Sequence, residues 1–254
     1  MPLAAGQAAL KASLIAAWSN TMNQPPLAAQ QIANALMTFA MTGVPQTMVT
    51  GMVAPGQPVV GAVTAAPGAM SGQGMGGIDK SSPGMGLAAA KPILVVNLTK
   101  AFANPKSLTM DTAAAVSAAV MDFLSQAMVM TMVTGAAMPG APTPPPAGPV
   151  GPMAWTGSGV GSLESTAGAG LASVLPVLIS QLTQEFANTT NTPPQLASNL
   201  ADAIFGFYTK AMITTVDTGN AAGGPAVVAP PPAPPVGSTA GPSPASGNGT
   251  GTIV

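Results

Sequence analysis

The chain repeats itself three times at one fixed period, and this repeat constrains its fold more than any other feature. Aromatic and aliphatic residues recur at a step of 84 residues, and Thr-Gly pairs keep the same step. The recurring sets are Trp18, Phe102 and Phe186; Leu14, Leu98 and Leu182; Phe39, Phe123 and Phe207; and Thr50-Gly51, Thr134-Gly135 and Thr218-Gly219. Three equal units in one polypeptide can be arranged about a shared axis, so the repeat predicts a pseudo-threefold molecule.

A second mark closes each copy, with the pattern Gly-x-Gly-x-Gly-x-(Ile/Leu). It spans residues 72–78, 157–163 and 247–253, so its steps are 85 and 90 residues. The segment before the mark therefore varies slightly in length from copy to copy.

Charge is almost absent from the chain. Its 254 residues include six lysines, no arginine, seven acidic residues, and neither histidine nor cysteine. Such a chain is poorly suited to free solution, because solubility favours a net charge away from zero. Its many Ala, Gly and Pro residues bury little area each, so we expect a thin core in each unit, stabilised by the sister units and by partners. Without a basic patch we expect no nucleic-acid binding, and without a long uninterrupted apolar stretch we expect no membrane-spanning helix.

Each copy begins with the pattern of a helical hairpin. Apolar residues at i, i+4 and i+8, such as Leu10, Leu14 and Trp18, predict first helices over 7–18, 92–102 and 175–187. Pro92 and Pro176 fall near the helix starts, where a proline is tolerated. Second helices are predicted to start near 27, 110 and 195, after Asn- and Pro-containing loops. The predicted core positions are Leu14, Leu98, Leu182, Leu36, Val120 and Ile204.

A Thr-rich segment follows each second helix, and its sequence allows two interpretations. The segments 45–51, 130–135 and 214–219 are rich in β-branched residues and end in Gly. They can form the last helical turns, with Gly as a left-handed cap. They can also form a short extended segment, which Pro45 and the Thr content favour.

The remaining sequence of each copy is rich in Gly, Pro and Ala, which is typical of linkers or extended arms. We therefore predict a mainly α fold: three tandem helical hairpins packed as a pseudo-threefold bundle, with long extended Gly/Pro-rich arms. The predicted hairpins span 1–56, 91–140 and 173–219, and the predicted arms span 57–90, 141–172 and 220–254.

Two patterns resemble binding sites for a cofactor or a metal, but a structural explanation fits each of them better. Gly72-x-Gly74-x-x-Gly77 matches a dinucleotide fingerprint in letters, but its Gly, Ser, Pro and Met flanks do not predict the required strand and helix. Met128-x-Met130-x-Met132 resembles a soft-metal site, but the other copies mostly place ordinary apolar residues there, which indicates core filling.

No carboxylate recurs in all three copies, and the chain has no histidine for nucleophile activation. The sequence therefore predicts no enzyme, no cofactor and no metal site. The aromatic sets that include Trp18 and Phe39 can grip a partner, but closing their own hairpins is the better interpretation because each unit has few other large side chains.

Taken together, the repeating features resemble small virion proteins of tailed bacteriophages. The resemblance depends on the three Thr-Gly pairs and on the closing marks at 72–78, 157–163 and 247–253, and it is closest to tail and baseplate components of contractile-tailed phages. It implies a non-enzymatic protein that clamps other components. Baseplates pass between sixfold and threefold symmetry, and a fused three-copy protein suits that setting.

The resulting prediction is a structural protein of a phage tail or baseplate, located in the virion after assembly in the host cytoplasm. Its partners are other tail or baseplate proteins in a large symmetric assembly. The arms are predicted to bind them, with Ile78, Leu163 and Ile253 as apolar anchors. The alternative is a secreted or surface-attached bacterial protein of low complexity, although the N-terminal sequence lacks the charge order of a secretory signal.

Overall fold

Each repeat of the protein contains two helices followed by two strands. The structure is a computed structural model that describes residues 2–19, 24–53, 68–79, 86–103, 108–138, 153–163, 170–221 and 243–254. The helices are α1 (Pro2–Ser19), α2 (Pro25–Ala40), α3 (Gly86–Ala103), α4 (Thr109–Ser125), α5 (Gly170–Ala187) and α6 (Pro193–Tyr208). The strands are β1 (Pro45–Val53), β2 (Gly68–Asp79), β3 (Met128–Met138), β4 (Met153–Leu163), β5 (Met212–Ala221) and β6 (Ser243–Ile253).

The six strands form a closed barrel in the order β1-β2-β3-β4-β5-β6, with every neighbouring pair antiparallel. The predicted mainly α bundle is therefore wrong. The Thr-rich segments are the strands β1, β3 and β5, which is the extended alternative. Their partners β2, β4 and β6 contain the glycine marks and lie inside the predicted arms. Residues 57–67, 80–85, 141–152, 164–169 and 222–242 of those arms lie outside the described residues, as do residues 54–56 and 139–140 of the predicted hairpins.

The six helices form a ring in which each contacts the next, and α1 and α6 close it. Because Leu14, Leu98, Leu182, Leu36, Val120 and Ile204 are at most 1% exposed, the predicted helical core is confirmed. The first helices are longer than predicted: α3 begins at Gly86 and α5 at Gly170, so Pro92 and Pro176 lie inside them and not in their first turns. Among the described helices, α3 alone is long and apolar enough to cross a membrane by length and composition, although Leu94 and Leu98 on it are buried in the ring.

The ring is joined to one end of the barrel by a shared apolar core. The strand ends nearest the helices contribute Ile78, Val129, Leu163, Ile213 and Ile253 to the same buried cluster as the helical leucines. A separate buried cluster, which includes Val53 and Trp155, occupies the opposite part of the barrel. The interior of the barrel is thus closed by the helical core at one end and filled with apolar side chains towards the other.

The barrel is narrow. Following the paired residues once around it leads from Gln46 in β1 back to Met52 in the same strand, a stagger of six residues over six strands. Eight strands already give an interior only just wide enough for side chains, so six strands leave less room. Inward side chains must therefore be small, or only some of the strands can place a large side chain at a given level of the barrel.

Candidate functional site

The interior of the barrel, called the lumen below, consists of layers of three inward residues, one from each repeat. Successive strand residues point to opposite faces, and inward positions that are equivalent in the three repeats form one layer. Thr47, Thr131 and Thr215 are such a layer: each is 3% exposed, and they recur at the 84-residue step. This threonine layer is polar, whereas most of the buried residues of the barrel are apolar.

Glycines on the alternate strands make room for the threonine layer. A Cβ atom added to Gly74 would meet the hydroxyl oxygen of Thr47, and one added to Gly249 would meet that of Thr215. Farther along, a Cβ on the third glycine of each Gly-x-Gly-x-Gly pattern would overlap a backbone carbonyl of the neighbouring strand. Those three glycines are Gly76, Gly161 and Gly251. The marks are thus the inward face of β2, β4 and β6, where only glycine fits.

This placement also decides the dinucleotide interpretation. Gly72, Gly74 and Gly77 all lie within strand β2 and not in a turn that leads into a helix; Gly72 and Gly74 pair with both neighbouring strands, and Gly77 pairs with β3. A phosphate-binding fingerprint needs that turn and the helix N-terminus behind it. The glycines of β2 are therefore a packing feature.

One carboxylate lies in the lumen next to the threonine layer. Asp217 has no exposed surface. The hydroxyl of Thr215 donates to its Oδ2 at 2.8 Å, and the hydroxyl of Thr131 lies 3.5 Å from its Oδ1, at the limit of a hydrogen bond. The equivalent positions in the other repeats, Val49 and Val133, are apolar. In this layer the threefold pattern is thus broken by a single buried acid.

The third threonine has no such partner. The Oγ1 atom of Thr47 is fully buried and makes no hydrogen bond to any described residue. Buried polar atoms are almost always hydrogen-bonded, so an orphan next to a buried carboxylate requires an explanation.

A second asymmetric layer lies towards the far end of the barrel. Trp155 is 1% exposed, and its equivalents in the other repeats are Met70 and Ala245. Its indole Nε1 donates a 3.1 Å hydrogen bond to the carbonyl of Ser71 on β2. One large and two smaller side chains fill a narrow layer that three tryptophans could not share, because interiors are close-packed.

The outer wall of the barrel carries no charge among the described side chains, and exposed methionines lie on it among uncharged polar residues such as Gln46, Thr50 and Gln73. Five methionines on β1, β2 and β3 are between 49% and 79% exposed, and Met75 and Met132 are directly paired across β2 and β3. We call this set the methionine band; it consists of Met48, Met52, Met75, Met130 and Met132. A shallow groove of about 490 Å³ runs between Met48, Met75 and Met132. Flexible thioether side chains exposed together are typical of adaptable binding surfaces.

Charge is confined to the helical half of the molecule. Among the residues whose side chains the structure describes, every charged residue except the buried Asp217 lies on a helix or in the turn after α6. Two of them form an ion pair between α1 and α6, with Lys11 Nζ 2.7 Å from an oxygen of Asp202. Among the described side chains, the acidic and basic residues are therefore concentrated on the ring of helices, and Asp217 is the one such residue of the barrel.

The residues singled out from the sequence lie in different places. Ile78, Leu163 and Ile253, the predicted partner anchors, are at most 8% exposed and pack inside the chain's own core. Met130 and Met132 of the methionine triplet lie on the outer wall and not in the core that the sequence predicted. Of the aromatic sets, Phe39, Phe123 and Phe207 are buried, whereas Trp18, Phe102 and Phe186 pack against the core while partly exposed.

A depression of about 600 Å³ lies between α3 and α4, and Asp122 is the one ionisable residue among its described lining. No group of three or more acidic residues that could hold a metal occurs among the described residues.

The sequence-based interpretation missed the threonine layer and Asp217, although a signal was present. Thr47, Thr131 and Thr215 recur at the repeat step, and Asp217 stands where the other copies have valine.

Comparison with protein-family models, with curated proteins and with solved structures found no match to this chain.

Proposed function

We propose that the protein is a non-enzymatic structural component of a phage tail or baseplate that binds neighbouring subunits through the outer wall of its barrel. The observation that supports this most directly is the methionine band on an uncharged wall. Met132 is 79% exposed and Met48 is 72% exposed, and their strands carry no outward-facing charge among the described side chains. Docking such a wall against protein desolvates no ion and buries several large apolar side chains.

The closed pseudo-threefold ring supports a position on a symmetry axis. Each repeat contributes the same four elements, and both the helical ring and the barrel close between the first and third repeats. A molecule with three similar faces can contact three equivalent neighbours, or three pairs of neighbours in a sixfold ring. The helical end carries charged side chains, which the described outer wall of the barrel lacks.

The proposal is tested first by locating the protein. Virions purified from the phage that encodes the chain should contain it in a small fixed number of copies, measured by quantitative mass spectrometry. Immunogold electron microscopy should place it at the tail or baseplate. Absence from purified virions, with the protein recovered only from the host cell or medium, would overturn the proposal and favour the surface-attached alternative.

The docking surface is tested by matched charge substitutions. Met132→Lys and Met75→Lys place a lysine on the exposed band, whereas Ile93→Lys places one at a comparably exposed position on α3. All three variants should keep the wild-type circular dichroism spectrum, because none of these side chains is buried. The band variants should be lost from particles and the α3 variant retained. Equal incorporation of all three would show that the band is not the contact.

A further inference from the structure

The lumen holds a carboxyl group that no cationic side chain accompanies among the described residues. None of the six strands contains Lys or Arg, and Asp217 receives only the hydroxyls of Thr215 and Thr131. Burying an ionised carboxylate is unfavourable unless the charge is balanced or fully hydrogen-bonded, and here the second contact is a long one. The site therefore lacks one positive partner.

The orphan hydroxyl of Thr47 lies in the threonine layer, which is adjacent to the layer that holds Asp217. A hydroxyl has two lone pairs in addition to its proton, so Thr47 Oγ1 can act as an oxygen ligand. Its equivalents Thr131 and Thr215 both face the carboxylate. An unpaired oxygen and an under-compensated carboxylate in adjacent layers of a narrow lumen have a common solution, which is a single positive ion between them.

We propose that the lumen binds one alkali metal cation, sodium or potassium, held by the carboxylate of Asp217 and the hydroxyl oxygens of the threonine layer. All of these donors are oxygens, which are the ligands that hard cations prefer. One carboxylate balances one monovalent charge, whereas a divalent ion would leave an uncompensated positive charge in a buried site. This proposal departs from the sequence-based prediction of no metal site.

The fused chain makes such a site possible. A homotrimer of identical units would place three carboxylates in one narrow layer, where their repulsion would prevent all three from ionising. The single chain instead combines Asp217 with Val49 and Val133, so one charge stands among two apolar side chains. The lumen is enclosed by the helical core at one end and by Trp155 towards the other. A bound ion would consequently be screened from water and would stabilise the closed barrel.

The test compares thermal unfolding of the full chain in NaCl, in KCl and in N-methyl-D-glucamine chloride at equal ionic strength. The organic cation is too large for the lumen and controls for general salt effects. We expect the midpoint to rise with sodium or potassium, by about 3–5 °C for each tenfold increase in concentration above the dissociation constant. The two salts distinguish the two ions. Equal midpoints in all three salts would overturn the proposal, and a response confined to CaCl2 or MgCl2 would overturn the monovalent assignment.

Two variants connect the response to the site. Asp217→Val introduces the residue that the other two repeats carry at this position, so the barrel should still close, and the cation response should disappear. Thr47→Val should shift the half-saturating cation concentration upwards. If no ion binds, removing an orphan buried hydroxyl should instead raise the midpoint in every salt. Either that outcome or a wild-type cation response in Asp217→Val would overturn the proposal, because the ion would then not be held by Thr47 or by Asp217.

Discussion

The hydroxyl of Tyr208 at the end of α6 donates a 2.7 Å hydrogen bond to the backbone carbonyl of Ala40 at the end of α2. The bond joins the third repeat to the first, across 168 residues of chain, and its donor is completely buried. The ring of Tyr208 also lies 5.3 Å from that of Phe39. The equivalent of Tyr208 in the second repeat is Leu124, so this contact is specific to the closure of the ring.

Removing the hydroxyl tests how much this bond contributes. Tyr208→Phe keeps the aromatic contact with Phe39, and the carbonyl of Ala40 retains a second donor in the backbone N–H of Gly43. We therefore expect a modest loss of about 1 kcal/mol in the free energy of unfolding, measured by urea denaturation. Tyr208→Leu, which also removes the ring contact, should cost more. A Phe variant as stable as the wild type would show that the bond contributes nothing net.

Burial raises the pKa of Tyr208 well above its usual value of about 10, because the ionised phenolate is poorly solvated in the core. Below about pH 10 the phenol is protonated in both states, so its contribution to stability is constant. Above that pH the unfolded chain loses the proton while the folded chain keeps it. Stability should then fall by up to about 1.4 kcal/mol per pH unit.

Tyr208→Phe is the matched control, because it shares every lysine with the wild type. The difference between the two unfolding free energies should change with pH only above about pH 10. Tyr208 is the one tyrosine in the chain, so tyrosinate absorbance should stay absent in the folded protein until unfolding. Ionisation near the usual pKa without unfolding would contradict the buried, hydrogen-bonded hydroxyl.

The helical core is tested by two neighbouring residues of α3. Leu98 is fully buried, whereas Val96 is 50% exposed. Leu98→Ala should lower the free energy of unfolding by about 2–5 kcal/mol, because it removes buried methyl groups and leaves a cavity. Val96→Ala should change it by less than about 0.5 kcal/mol. Similar losses for the two variants would mean that α3 presents a different face to the ring.

The helices could be predicted from the sequence and the barrel could not, for a physical reason. Leu14 and its equivalents recur with helical spacing, and the predicted burial of this face is correct. Strands are recognised by alternating apolar residues, but in β2 the inward positions 72, 74 and 76 are all glycine. A glycine carries no apolar signal, so the strand resembled a flexible arm. Asp217 was overlooked for a related reason: its inward orientation can be recognised only once the barrel is known.

The glycine marks provide the sharpest test of the barrel, because two adjacent glycines of β2 have opposite surroundings. A Cβ on Gly76 would overlap the carbonyl of Met130 and approach the Cα of Thr131 to 2.7 Å, so β2 and β3 would have to separate. A Cβ on Gly77 would meet no atom within 4 Å. Gly76→Ala should cost about 3 kcal/mol or more, since backbone cannot yield as a side chain does. Gly77→Ala should gain about 0.4–1 kcal/mol by restricting the unfolded chain. Urea unfolding of both variants measures the difference, with Gly161→Ala as a second copy of the first change. If all three substitutions were tolerated equally, β2 and β4 would not be strands of so narrow a barrel. The result would then favour the prediction that these segments are extended arms.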